Sequence, residues 1–163
     1  LPAGRGQVIF HCKGAERDVE LLSQLIDGNF PDYAQIIPRS HSTRATVAVA
    51  DFKRACEAAD IFARESLHTA RVKVTPGGEF GPGKIQILAQ SAETGSNDAA
   101  VDATVEGDGL EIAFNVRYLI EALNVITTPH VALETIGPAS PGVLKPVGRD
   151  DYLYVAMPMH VGR

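Results

Sequence analysis

Two short segments with a helical hydrophobic period stand in a chain that otherwise alternates apolar and polar residues. The helical segments cover residues 51–65 and 115–126, and each directly follows an apolar, strand-like run. They open with Asp51 and Asn115, residue types that commonly cap helix N-termini. The two starts are 64 residues apart, and the strands around them recur in the same order. Residues 43–163 are therefore predicted to be a duplicated β-α-β-β-β unit.

This element order predicts an α+β fold in which two helices pack on antiparallel sheets. The first two strand-like runs form a hairpin, which is at best marginally stable alone. Residues 1–38 are therefore interpreted as the last strands of a preceding domain with a connector, and residues 39–163 as the next domain. The predicted strands cover residues 7–12, 19–26, 43–50, 70–75, 84–92, 99–106, 110–114, 130–136, 143–147 and 152–157.

Composition narrows the class of protein further. The formal net charge of -5 over 163 residues argues against indiscriminate nucleic-acid binding, because affinity for phosphates comes mainly from concentrated Lys and Arg. No run approaches the roughly 18 uninterrupted apolar residues that a membrane span requires. The start at Leu1 has neither Met nor signal-peptide features and indicates a cut. A cytoplasmic protein is predicted.

Enzyme chemistry has one weak signal, between Gly78 and Lys84, where the spacing matches the first half of a phosphate-binding P-loop. Ile85 stands where the magnesium-binding Ser or Thr is required, and a strand follows instead of a helix N-terminus. A Gly-rich hairpin loop is the favoured interpretation. A nucleotide- or phosphate-binding enzyme is kept as the alternative hypothesis, and a structural β-rich domain without a ligand groove as a third.

Cysteines and histidines suggest no further chemistry. Cys12 and Cys56 fit no metal or disulfide spacing, so both are predicted to be reduced thiols in the core. The five histidines are scattered singly, and no serine lies in a nucleophile-elbow motif. No catalytic residue, metal site or cofactor is predicted, and the chain is interpreted as a binding protein.

The first predicted helix has an apolar face and a charged face. Lys53 with Glu57 and Asp60 with Arg64 are i,i+4 neighbours that can form ion pairs. A solvated, salt-linked surface is therefore favoured over a DNA-facing role. The apolar face contains Phe52, Ala55, Cys56, Ala59 and Ala63.

Four apolar side chains are candidates for association. Ile61 falls among the charges, because nine helical steps place it opposite the apolar face. Together with Phe62 at the rim of that face, it predicts an association patch. Met157 and Met159 lie two residues apart at the end of the last predicted strand and share a side if the strand continues. Adaptable Met side chains on an edge strand favour peptide docking over a tail that only caps the sheet.

Three segments carry a family resemblance: LIDGNFPDY at residues 25–33, FNVRYL at 114–119 and YLYVAMPM at 152–159. Together they resemble the bacterial sliding clamp family, the beta subunit of DNA polymerase III. The first segment corresponds to the junction between the second and third domains of that family. The resemblance therefore implies that residues 1–38 end domain two and that residues 39–163 form domain three, with the DNA clamp fold.

In that family, two chains of three similar domains form a head-to-tail ring around duplex DNA and catalyse no reaction. The resemblance implies a processivity factor that tethers DNA polymerase, clamp loader subunits and other partners through short linear motifs. These motifs enter a groove between domains two and three. The groove positions in this sequence are Pro31, Gln35, Ile36, Asn115, Tyr118, Pro141, Val155, Ala156, Met157, Pro158 and Met159.

The resemblance gives two further surfaces a role. Ile61 and Phe62 stand where the family has a hydrophobic pair that meets domain one of the neighbouring subunit. His160 stands where the family commonly has Arg, which changes the polar rim of the groove. The candidate phosphate contacts on the two helices, which face DNA in such a ring, are Lys53, Arg54, Arg64 and Arg117.

Overall fold

The structure, a computed structural model, describes residues 6–79 and 81–160. The chain divides into two units, of which the first ends at Tyr33 and the second begins at Ala34. The first unit contains an antiparallel hairpin of strands β1 (Gln7–Lys13) and β2 (Asp18–Gln24). A short 3₁₀ turn covers Tyr33–Gln35.

The described part of the second unit contains the same series of elements twice. Each series is a strand, a helix and three further strands, which confirms the predicted β-α-β-β-β duplication and the α+β fold. The first series is β3 (Thr43–Ala48), α1 (Val49–Ala63), β4 (Thr69–Thr75), β5 (Gly83–Ser91) and β6 (Gly95–Gly107); the second is β7 (Leu110–Asn115), α2 (Val116–Val125), β8 (His130–Thr135), β9 (Gly142–Pro146) and β10 (Tyr154–Ala156).

The strands of the second unit form one antiparallel sheet in the order β10-β9-β8-β3-β6-β5-β4-β7. The leading strand of each repeat pairs with the other repeat: β3 with β8, and β7 with β4. Each repeat therefore completes its backbone hydrogen bonds through its partner repeat. The duplication forms one folding unit rather than two independent halves.

The core lies between this sheet and the two helices. On α1 the predicted apolar face is confirmed, because Phe52, Ala55, Cys56, Ala59 and Ala63 are all buried. The helix packs on α2 and on β5 and β6. Alternate residues of the strands point into the same core; those that are fully covered include Val47, Val72, Ile85 and Ile87.

The two helices begin in different ways. As predicted, Asn115 caps α2, and its side-chain oxygen accepts a hydrogen bond from the Arg117 amide at 3.1 Å. The predicted cap at Asp51 is wrong, because α1 starts at Val49 and its cap residue, Ala48, makes no side-chain cap bond. The Val49 amide instead donates to the carbonyl of Pro129 at 3.0 Å. The first amide of α2, that of Val116, likewise donates to the distant carbonyl of His68 at 2.8 Å, so α1 differs from α2 only in lacking a side-chain cap.

The motif from Gly78 to Lys84 lies at the turn of the β4–β5 hairpin, and its last two residues, Gly83 and Lys84, begin β5, where Lys84 pairs with Thr75. The amide of Gly78 donates to the carbonyl of Gly81 at 3.1 Å. Phe80 lies outside the described residues. Because β5 follows directly, the turn lacks the helix N-terminus that a P-loop uses to hold phosphate. The hairpin interpretation is confirmed.

The two cysteines differ in burial. Cys56 is fully buried, and burial raises the pKa of its thiol well above its usual range, with a smaller contribution from the Glu57 carboxylate. Cys12 is exposed on β1, so its predicted core position is wrong. Within its own unit, the two-stranded hairpin provides no second layer to cover that side chain.

Candidate functional site

The C-terminal tail runs from β10 to β7. Strand β10 ends at Ala156, one residue before the predicted end, so Met157 and Met159 lie beyond the strand and the strand period does not place them on one side. After the strand, the Met159 amide donates to the carbonyl of Ala113 in β7 at 2.8 Å. Since β7 leads directly into α2, this bond brings the tail close to the start of α2. Met157 is 62% exposed, and Met159 is half-buried.

Pro141 lies at the same end of the sheet. In the β9–β10 ladder Gly142 pairs with Ala156, so Pro141 and Met157 flank that pair on the two strands. A Cβ atom on Gly142 would lie 2.5 Å from Cζ of Phe114, the residue before the α2 cap. Because no side chain fits at position 142, the start of β9 can approach the end of β7 closely.

Tyr118, on α2, is 54% exposed. Helix α2 contacts β10, which carries Tyr154. Burial raises the pKa of the Tyr154 hydroxyl, and the charges of Glu121, Tyr152 and Tyr118 add to that effect.

The predicted groove positions thus fall into two groups. Contacts among α2, β9, β10 and the tail connect Asn115, Tyr118, Pro141 and residues 155–159. Gln35, in the 3₁₀ turn, and Ile36, which is 47% exposed, lie at the start of the second unit. Pro31 belongs to the first unit. Assignment of the whole set to one groove stays a prediction.

Sequence reasoning missed a cavity of about 470 Å³ beside the tail. It lies between the 3₁₀ turn Arg64–Ser66, the strands β4 and β5, and the tail. Because these segments are distant in sequence, no local pattern could indicate it. The cavity is lined by Glu65, Ser66, Leu67, Thr69, Arg71, Leu88, Ala89, Gln90, Met159 and His160.

The association patch has the predicted exposure. Ile61 is 55% exposed, whereas Phe62 is partly buried and packs against the core. Nearby, Asp60 accepts from Nδ1 of His68 at 2.6 Å rather than pairing with Arg64, so the predicted Asp60–Arg64 pair is wrong. Since α1 ends at Ala63, Arg64 lies in the 3₁₀ turn and leaves the i,i+4 geometry.

Strand β6 has an open edge near α1. Its residues 103–107 pair with β3 on one side, whereas residues 95–102 have β5 as their one strand partner among the described residues. A shallow cleft joins the start of α1 to residues 99–102 of this edge. The edge therefore presents unpaired backbone groups to which a further strand can bind.

The candidate DNA-facing residues lie among acidic side chains. Lys53 pairs with Glu57 at 3.7 Å as predicted, and Arg54 pairs with Asp51. Arg117 lines a cleft between the helices together with Glu57, Asp60, Ile120 and Glu121. The helix surfaces therefore offer little uncompensated positive charge for phosphate binding.

Comparison with solved structures defines the class of protein. The DNA polymerase III subunit beta of Pseudomonas aeruginosa is 27% identical with a TM-score of 0.80, over 94% of this chain and 40% of that one. The C. crescentus beta sliding clamp is 30% identical with a TM-score of 0.76, over 87% and 37% of the two chains. The fold is that of a bacterial DNA sliding clamp.

The family follows from the sequence match. The family described as DNA polymerase III beta subunit, C-terminal domain, matches residues 34–160, and this chain belongs to it. The beta sliding clamp of Synechococcus elongatus is 31% identical over 157 residues, which are 96% of this chain and 40% of that relative. The chain thus spans less than half the length of the curated relative, and the expected family is confirmed.

Proposed function

We propose that this chain contributes the last part of a DNA sliding clamp, a processivity factor whose ring-forming dimer encircles duplex DNA. Partners, among them DNA polymerase and clamp loader subunits, would bind by short linear motifs at the C-terminal tail. The observation that carries this proposal is the hydrogen bond from Met159 to Ala113, which places the exposed tail beside α2 in a chain of the clamp family.

The proposed groove has the character of a peptide-binding surface. Met157 and Tyr118 are both more than half exposed although they are large and mainly apolar. Aromatic and Met side chains are enriched at interfaces, because they supply contact area with adaptable geometry. Helix α2, which carries Tyr118, contacts β10, which directly precedes Met157, and Pro141 flanks the same end of the sheet. The family resemblance adds Pro31, Gln35 and Ile36 to the proposed groove.

In the proposed ring, the neighbouring subunit would bind to the first repeat at α1 and at the unpaired edge of β6. Ile61 offers an exposed apolar side chain on α1, and Phe62 supports it from the rim of the core. The unpaired edge of β6 over residues 95–102 adds backbone groups for a strand of the neighbouring subunit. Together these features suit a head-to-tail subunit contact.

Contact with DNA would be weak and independent of sequence. The candidate phosphate contacts are Lys53, Arg54, Arg64 and Arg117, and three of them lie close to carboxylates. Low net attraction suits a ring that slides, because retention would come from topology rather than from affinity. We assign residues 1–38 to the end of domain two and residues 39–163 to domain three, and place the clamp in the cytoplasm, where it acts without catalysis.

Titration of a three-domain clamp that contains this chain with a fluorescein-labelled, short hydrophobic peptide tests the groove. Replacing Met157 and Met159 by Ala should weaken binding by at least about 1 to 2 kcal/mol, because truncating buried contacts typically costs that much. Val125→Ala is the matched control, since Val125 is an exposed aliphatic residue at the far end of α2. Unchanged affinity in the double variant, with the fold intact by circular dichroism, would show that the groove assignment is wrong.

A further inference from the structure

The cleft between the two helices combines one basic side chain with three acidic ones. It has a volume of about 310 Å³ and is lined by Glu57 and Asp60 of α1 and by Arg117, Ile120 and Glu121 of α2. Glu57, Arg117 and Glu121 are exposed, whereas the side chains that both helices direct at the sheet are buried. The cleft therefore lies on the helix surface that faces DNA in the proposed ring.

Arg117 differs from the candidate phosphate contacts on α1, which are already in ion pairs. Lys53 pairs with Glu57 at 3.7 Å, and Arg54 pairs with Asp51. Over residues 6–79 and 81–160, the Arg117 side chain is in no ion pair, and the hydrogen bond described for this residue is made by its backbone amide. Its guanidinium is therefore the basic group on the two helices that is most accessible to a phosphate.

The three carboxylates of the cleft differ in their own partners. Glu57 is paired within α1, and Asp60 is bonded to the His68 ring at 2.6 Å. Glu121 is in no ion pair within the part of the chain that the structure describes. It lies four residues after Arg117 on α2, and a basic residue that precedes an acidic one is the weaker order for such neighbours. A phosphate can therefore compete with Glu121 for Arg117.

A phosphate that approaches Arg117 also approaches the carboxylates, because all of these groups line one cleft. Charges on a protein surface act on one another over a screening length of roughly 8 to 10 Å at physiological salt. The carboxylates therefore repel the same phosphate that the guanidinium attracts. Since affinity for duplex DNA comes mainly from phosphate contacts, this repulsion reduces what Arg117 contributes to DNA binding.

We infer that the carboxylates of this cleft limit the contact between Arg117 and duplex DNA and thereby keep the hold of the ring on DNA loose. The inference rests on the proposed function, because it requires that the two helices face DNA. Glu121 is the main determinant, since its charge is not neutralised by a basic partner of its own. Removing that charge should strengthen DNA binding although no basic group is added.

Binding of a short, fluorescein-labelled duplex to a three-domain clamp that contains this chain tests the inference by fluorescence anisotropy over a range of salt concentrations. Glu121→Gln should strengthen binding about two- to fivefold, the effect typical of one exposed charge interaction. Arg117→Ala should weaken binding by a similar factor. It should also reduce the slope of log affinity against log salt concentration by about 1, because one phosphate contact is lost.

Two further variants separate the local effect from net charge. Glu79→Gln is the matched control, because it removes the same charge from an exposed residue in the β4–β5 turn, outside both helices. It should change the affinity by less than about 1.5-fold, since the removed charge is screened from the cleft. In the double variant of Arg117→Ala with Glu121→Gln, the gain from Glu121→Gln should fall to the same level, because the two residues act on the same phosphate.

Equal effects of Glu121→Gln and Glu79→Gln, with both variants folded by circular dichroism, would overturn the inference and leave net charge as the cause. A full gain from Glu121→Gln in the absence of Arg117 would overturn it as well. Both results would leave the proposed function standing. If neither Arg117→Ala nor Lys53→Ala changed the affinity for the duplex, the DNA-facing assignment in the proposed function would be wrong, and the inference with it.

Discussion

At the scale of single residues, Gly142 determines how closely β9 approaches β7. A Cβ atom there would lie 2.5 Å from Cζ of Phe114 and 3.3 Å from Cδ1 of Leu133, both in fully buried side chains. Neither neighbour can move without disturbing the core, since interiors are close-packed. The constraint also concerns function, because Gly142 pairs with Ala156, one residue before the exposed tail.

Gly142→Ala should therefore lower the free energy of unfolding by about 1 to 3 kcal/mol, the usual cost of overpacking. Gly137→Ala is the matched control, because its added methyl would meet nothing within 4 Å. Urea denaturation followed by circular dichroism measures both. Equal midpoints for the two variants would contradict the close approach of Gly142 and Phe114.

At the scale of elements, the helices of the two repeats differ in whether a side chain caps the N-terminus. In α2 the side chain of Asn115 supplies the cap and also bonds the carbonyl of Leu67. In α1 the equivalent position is Ala48, and the first helical amide, that of Val49, bonds the Pro129 carbonyl. The first amide of α2, that of Val116, also bonds a distant carbonyl, that of His68. The two helices therefore differ in that α2 has a side-chain cap and α1 has none.

Opposite responses are expected when the two cap residues are changed. Asn115→Ala should lower the free energy of unfolding by about 0.5 to 2 kcal/mol, because it removes a cap acceptor. Ala48→Ser should raise it by about 0.5 kcal/mol, since a hydroxyl there can accept from a free amide of the first turn. Thermal unfolding of both variants measures the difference, and a shift in the same direction would refute this account of the α1 cap.

At the scale of the whole molecule, the proposed assembly would use side chains that the folded domain leaves uncovered. Ile61 is exposed on α1, and the neighbouring edge of β6 has no strand partner over residues 95–102 among the described residues. Phe62, in contrast, packs against the core of its own domain. Phe62 should therefore contribute to the stability of its own domain as well as to association, whereas Ile61 should contribute mainly to association.

In a three-domain clamp whose last part is this chain, replacing Ile61 and Phe62 together by Ala should convert the dimer to monomer. Burial of two such side chains contributes roughly 3 to 6 kcal/mol to association. Analytical ultracentrifugation at low micromolar concentration measures the change, and a double variant that stayed dimeric would exclude this interface. As an internal control, Phe62→Ala alone should lower domain stability by about 1 to 3 kcal/mol, and Ile61→Ala by less than about 0.5 kcal/mol.

The sequence by itself determined the features that depend on local periodicity and local chemistry. The buried face of α1, the duplicated element order and the hairpin turn at residues 78–84 follow from the spacing of apolar residues and from the position of glycines. The Asn115 cap follows from a side chain that reaches its own helix. Each of these involves groups within a few residues of one another, so a single sequence contains the necessary information.

Only the tertiary structure decided which distant segments meet. Strand β3 pairs with β8, and the Val49 amide at the start of α1 bonds the Pro129 carbonyl. Asp60 bonds the His68 ring instead of pairing with Arg64. No local pattern encodes these contacts. The cavity beside Leu67 has the same origin, because the 3₁₀ turn, two strands and the tail line it together. Periodicity shows which face of an element is apolar, but the packing of other elements decides whether that face is covered, as the exposed thiol of Cys12 shows.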